Sequence, residues 1–108
     1  MSTPYTPETT DRAAVDRLPG PTVVEFGTNW CGFCQRAEPL IDEAFEGQAG
    51  VKRIRVEDGS GRALGRTFRV RLWPTLVFMR DGKELARVVR PTSADEISRA
   101  IGQIVAPA

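Results

Sequence analysis

Two cysteines stand in this 108-residue chain, Cys31 and Cys34, in the segment Trp30-Cys31-Gly32-Phe33-Cys34. On a helix, positions three apart share one face. The two sulfurs can therefore close a small disulfide ring or open to a dithiol. An apolar run, Val23-Val24-Glu25-Phe26, precedes the pair, and a helical pattern follows it. Cys31 is thus expected where a strand has ended and a helix begins. Unpaired N–H groups and the dipole at a helix N-terminus favour negative charge. They lower a thiol pKa from about 8.5 into a range of roughly 3.5–7.5, so that thiolate exists near neutral pH. Thiolate is the species that attacks a disulfide. A structural zinc site needs a full set of Cys or His ligands. With no histidine and no second cysteine pair, one copy of this chain is not expected to form such a site.

Glu25 is the other residue whose chemistry stands out. A carboxylate inside Val-Val-Glu-Phe is out of character for a central strand. If buried, it is expected to titrate high through desolvation. Its replacement by leucine is then expected to stabilise the fold, because an apolar group is cheaper to bury. The alternative is a glutamate at a strand end that reaches back to solvent.

The elements that position these residues follow from periodicity and punctuation. Residues 1–8, with Pro4 and Pro7, read as a flexible arm or a weak edge strand, and 9–108 as the folded domain. Thr9 or Thr10 is expected to cap a short helix near Asp11–Leu18, stopped by Pro19-Gly20-Pro21. Thr22–Thr28 reads as a central strand, apolar on both faces. Ala37, Leu40, Ile41, Ala44 and Phe45 make a core-facing helical stripe. Pro39 lies within it and is expected to kink it, and Gly47 and Gly50 mark its end. Val51–Val56 is the next strand, Gly59-Ser60-Gly61 breaks it, and Arg62–Thr67 reads as a short helix. Thr75–Arg80 and Lys83–Arg90 form a hairpin across Asp81-Gly82. Ser93 to Glu96 is a capping-box pattern. It opens a last helix with Ile97, Ala100, Ile101, Ile104 and Val105 on one face. The order αβαβαββα argues an α/β fold: a mixed sheet of four to five strands with helices on both faces.

Length and composition bound the rest. At 41% hydrophobic and 27% charged residues, this is ordinary globular material for one domain. A net charge of +1 gives no reason to expect nucleic acid. No apolar run approaches the ~18 residues of a membrane span. The opening residues, Met1 to Pro7, are polar and lack the apolar stretch of a signal peptide. A cytoplasmic monomer is therefore expected, in a compartment where a cysteine pair is more often catalytic than structural. Lys52 to Arg71 carries seven basic residues against Glu57 and Asp58. A solvated face explains it better than an acidic-partner surface, though both readings stand. Gly59-x-Gly61-x-x-x-Gly65 misses a dinucleotide fingerprint by one place.

With this order of elements, the chain resembles the thioredoxin family from about Asp11 to Val105. The motifs that carry the likeness are Val24-Glu25-Phe26, Trp30-Cys31-Gly32-Phe33-Cys34, Pro39, Trp73-Pro74-Thr75 and Asp81-Gly82-Lys83. The resemblance implies that Pro74 is a cis-proline facing the cysteines, whose neighbouring backbone pairs with an extended substrate segment. It places Glu25 where the family usually has an Asp proposed to move protons to and from the second cysteine. It implies a docking surface that includes Trp30, Gly32 and Phe33. Three departures cluster there: Phe33 replaces the usual proline, Trp73 a smaller aliphatic residue, and Arg90 a glycine of the substrate groove. The activity implied is protein-disulfide reduction, with Cys31 attacking, Cys34 resolving and Glu25 as base. No metal or organic cofactor is implied. The partners implied are protein disulfides and a separate reductase such as thioredoxin reductase. Two alternatives remain: a more oxidising disulfide exchanger, and a binding or assembly module with little turnover.

Overall fold

A computed structural model of the chain describes residues 3–105. Residues 1–2 of the expected arm and 106–108 of the expected domain lie outside the described residues. The elements run α1 (Arg12–Asp16), β1 (Pro21–Gly27), α2 (Gly32–Phe45), β2 (Lys52–Glu57), α3 (Ala63–Thr67), β3 (Thr75–Arg80), β4 (Lys83–Val89) and α4 (Ala94–Val105). This is the expected order of elements. The four strands lie in the order β2-β1-β3-β4. β1 runs parallel to β2 and antiparallel to β3, and β4 pairs antiparallel with β3. Beyond β2 there is a single parallel bridge between Thr6 and Val56.

β1 is interior because six of its seven residues, from Thr22 to Gly27, are buried. On one face, α2 and α4 cover Val23, Leu76 and Phe78 with Ala37, Ile41, Ile97, Ile101 and Ile104. On the other, α1 and α3 cover Val24, Phe26, Val77 and Met79 with Val15, Leu64 and Phe68. Each fully buried side chain of this size contributes about 1.5–3 kcal/mol. Successive strand residues point to opposite faces. Glu25 therefore shares the α2 face with Val23.

Local chemistry sets the element ends, with two corrections to the expected caps. Asp11, not Thr9 or Thr10, caps α1, and its carboxylate accepts from Ala14 N–H at 2.8 Å. At α4, Glu96 N–H donates to Ser93 Oγ at 3.3 Å. The returning Glu96 carboxylate takes the Thr92 N–H at 2.9 Å and the Thr92 hydroxyl at 2.8 Å. The box thus closes one residue earlier than the pattern implies. Asp81 and Gly82 both hold positive φ, 50° and 83°, as a two-residue hairpin of this hand requires. Pro39 lies inside α2 with its ring exposed, and the helix continues through it.

Candidate active site

β1 ends at Gly27, and Thr28, Asn29 and Trp30 carry the chain to α2. Cys31 is the N-cap of that helix, with extended backbone (φ −76°, ψ 124°) and no side-chain capping bond. Its sulfur therefore sits where the N–H groups of the first turn point. Cys34 lies one turn in. Both thiols are free, and Cys31 is 8% exposed against 1% for Cys34. Burial alone would push the Cys31 thiol up. The Cys34 backbone N–H, the Cys34 thiol, the Phe33 backbone N–H and the Arg90 guanidinium outweigh it, and the thiol lies below its ordinary value. Cys34 goes the other way. Burial raises it, and the hydrogen bond to Cys31 and the charge there add to the rise. The Thr28 backbone and Arg55 oppose it without cancelling it.

The residues expected around the pair are brought together. Trp30 is 73% exposed and meets Trp73 edge-on, with ring centroids 5.8 Å apart. Trp73 packs against Cys31, Cys34 and Tyr5, and its indole N–H donates to Asp58 Oδ2 at 2.9 Å. The Trp73–Pro74 bond is cis, as the resemblance implies. Gly32 is the exposed first residue of α2. Phe33 follows it, also exposed, and carries the Arg90 guanidinium 3.6 Å from its ring centroid. Arg90 donates its backbone N–H to Pro74 O at 3.0 Å and its Nε to Trp73 O at 2.9 Å.

Glu25 is buried, but it is not alone. Arg53 Nε donates to Oε2, and Arg53 Nη2 and Arg55 Nε reach Oε1 at 3.2 and 2.9 Å. Arg55 also pairs with Glu38 Oε1 at 2.6 Å, and Arg53 with Asp42 Oδ1 at 3.4 Å. The expectation that leucine at position 25 would stabilise the fold is therefore reversed, since it would strand a buried guanidinium. No hydrogen bond joins Glu25 to Cys34 among the described residues. The cation that acts on Cys34 is Arg55.

Sequence reasoning missed the groups between them. Tyr5 is 3% exposed and lies under the Arg55 guanidinium, whose carbon is 4.0 Å from the ring centroid. The side chain that acts on its buried hydroxyl is Arg55. The Asn29 side chain pins Tyr5, accepting from its N–H at 2.8 Å and donating to its carbonyl O at 3.0 Å. Gly27 makes room for the ring: a Cβ there would stand 2.7 Å from Cys34 Sγ and 2.8 Å from Tyr5 Cζ. Arg55 was legible in principle. Arg53 and Arg55 alternate on a strand that pairs with β1, which puts both beside Glu25. Tyr5 has no local signal, being one aromatic in a polar arm.

Two unequal thiols at a helix start, beside an exposed aromatic and basic surface, can exchange electrons with a docked disulfide. The family model described as thioredoxin matches residues 6–103. A thioredoxin of Aspergillus fumigatus is 32% identical over 87 residues, covering 81% of each chain. An H-type thioredoxin of Nicotiana tabacum is 31% identical over 86 residues, 80% of this chain and 68% of that one. Thioredoxin 2 from Pseudomonas aeruginosa PAO1, in its reduced form, superimposes with a TM-score of 0.86 at 55% identity over 97% of each chain. Likeness of this extent, in sequence and fold together, means that the chain belongs to the thioredoxin family of protein-disulfide oxidoreductases.

Proposed function

We propose that Cys31 is the attacking cysteine and Cys34 the resolving one in the reduction of protein disulfides. The observation that carries this assignment is the placement of the two thiols, Cys31 at the N-cap of α2 and 8% exposed, Cys34 one turn in and 1% exposed. Cys31 thiolate attacks one sulfur of the substrate disulfide. That S–S bond breaks, the departing sulfur takes a proton, and a mixed disulfide joins Cys31 to the substrate. Cys31 then no longer bears the charge and hydrogen bond that help hold the Cys34 proton. Cys34 gives up its proton and attacks Cys31 Sγ. The second substrate sulfur leaves as a thiol with the proton that Cys34 gave up, and the dithiol, having given two electrons to the substrate, is now the Cys31–Cys34 disulfide. A separate reductase, such as a thioredoxin reductase, returns two electrons.

Glu25 takes part through Arg55. The carboxylate holds the guanidinium whose field favours Cys34 thiolate, which makes Glu25 a positioning residue. Trp30, Gly32, Phe33, Trp73 and Pro74 form the surface on which the substrate segment lies. The working setting is a monomer in the reducing cytoplasm, where the ambient poise keeps a dithiol open. Insulin reduction driven by a thioredoxin reductase is the test. Turnover by the parent and none by Cys31→Ser is expected. A Cys31→Ser protein that still turns over insulin would remove the assignment.

A further inference from the structure

Beside Cys31 a cleft of about 500 Å³ opens between the first turns of α2 and the connection from β4 to α4. Phe33, Leu40 and Pro91 give it an apolar floor, and Arg36, Arg90 and Thr92 stand among its lining. Two guanidiniums share the Phe33 ring, Arg90 at 3.6 Å and Arg36 at 4.7 Å from its centroid. An aromatic face holds cations by its quadrupole but does not neutralise them. Arg12, Arg53, Arg55, Arg62, Arg80, Arg87 and Arg99 meet carboxylates, and the remaining arginines do not among the described residues. Neither Arg36 nor Arg90 pairs with one among the described residues.

Arg90 is also fixed where a smaller residue would sit more easily. Its backbone holds φ at 50°, a left-handed conformation that favours glycine. Nε is committed to the Trp73 carbonyl, and the two terminal nitrogens make no hydrogen bond among the described residues. The same guanidinium acts on Cys31, so a group bound to it lies close to the reacting sulfur. A planar fork with an unpaired face is suited to a carboxylate.

Resting on the reductase reading above, we propose that this cleft selects disulfides whose flanking segment carries an acidic side chain, with Arg36 and Arg90 as the specificity-determining residues. An aspartate or glutamate a few residues from the substrate cystine enters between the two guanidiniums while its stem lies on Phe33 and Leu40. A lysine in the same place meets two like charges. The preference belongs to encounter and docking, so it acts on kcat/KM and weakens with salt.

The experiment uses three peptides with one intramolecular disulfide, identical except for Glu, Gln or Lys at the flanking position. Their kcat/KM values are measured with the full chain at low salt and at about 0.5 M salt. Glu over Lys by about tenfold at low salt, with most of that ratio lost at high salt, is expected. Arg36→Glu should invert the order, and Arg90→Gln should flatten it. If Arg90→Gln fails to fold, Arg36→Glu alone decides, because Arg36 is exposed. Equal kcat/KM for the three peptides overturns the selection while leaving the reductase reading in place. A ratio that Arg36→Glu does not move overturns the assignment to this cleft. Failure to reduce any of the three overturns the reductase reading and this proposal with it.

Discussion

Glu25 takes its meaning from its partners. Two guanidiniums converge on it, and Arg55 is itself buried, with 3% of its side chain exposed. Removing one member of such a pair leaves a charge in a place where water cannot reach it. Glu25→Leu should therefore lower unfolding stability by about 3 kcal/mol, read as a drop in the urea midpoint at neutral pH. A midpoint that stays level or rises would mean that Glu38 alone satisfies Arg55. Tyr5 offers the contrasting case. Its hydroxyl is buried and its polar neighbour is the Arg55 guanidinium, so Tyr5→Phe should lower stability at pH 7 by only about 1 kcal/mol. The same substitution has a pH signature. Burial raises the Tyr5 hydroxyl, with Arg55 opposing and Glu25 and Cys34 adding to the rise. A group whose folded pKa lies above its unfolded value contributes stability that is complete below the unfolded value and is lost as pH rises toward the folded one. Cys34 behaves in the same way. The reduced parent should thus lose stability above pH 9, and Tyr5→Phe should lose less of it. Parallel midpoint-against-pH curves for the two proteins would count against a buried, titrating Tyr5.

At the scale of elements, the site is the meeting of the end of β1 with the start of α2. Gly27 sits at that junction, where no Cβ fits between Cys34 Sγ and the Tyr5 ring. Gly27→Ala should cost about 1–3 kcal/mol through overpacking. It should also speed alkylation of Cys34, because the ring that shields it is displaced; unchanged Cys34 labelling would show that Tyr5 is not the shield. How far these elements were legible depends on how local their signals are. β1, the β3–β4 hairpin and α4 each announce themselves through period and turn chemistry within a dozen residues. The caps shifted by a residue because neighbouring Thr, Asp and Ser side chains can all serve as caps. The Cys pair is local, and so was found. The Tyr5–Arg55–Glu25 stack joins three segments that only the sheet brings together. Its one sequence trace, the alternation of Arg53 and Arg55, acquires meaning only once β2 is known to pair with β1.

For the whole molecule, the sheet separates two tasks. The face under α1 and α3 is filled with apolar side chains. The face under α2 carries the Glu25 ion-pair cluster on the same side as Cys34. The reacting sulfur lies at the end of the sheet, where exposed Trp30, Phe33 and Leu72 offer apolar area to a substrate. The two outer strands carry exposed charges, Lys52 on β2 and Lys83, Glu84 and Arg87 on β4, the latter beside exposed Leu85 and Val89. Such charges discourage edge-to-edge pairing, and a monomer is the state we propose. A size-exclusion profile of the reduced protein should show a single species of monomer size across a hundredfold range of concentration.

The central claim is that two thiols, three residues apart and displaced in opposite directions, divide attack and resolution between them. Mixed-disulfide trapping tests it most directly. Cys34→Ser and Cys31→Ser proteins are each reduced, mixed with a disulfide-bonded client, quenched with acid and resolved without reductant. Cys34→Ser is predicted to accumulate a covalent complex through Cys31, and Cys31→Ser to accumulate none. A complex formed equally well by both variants, or only by Cys31→Ser, would contradict the account.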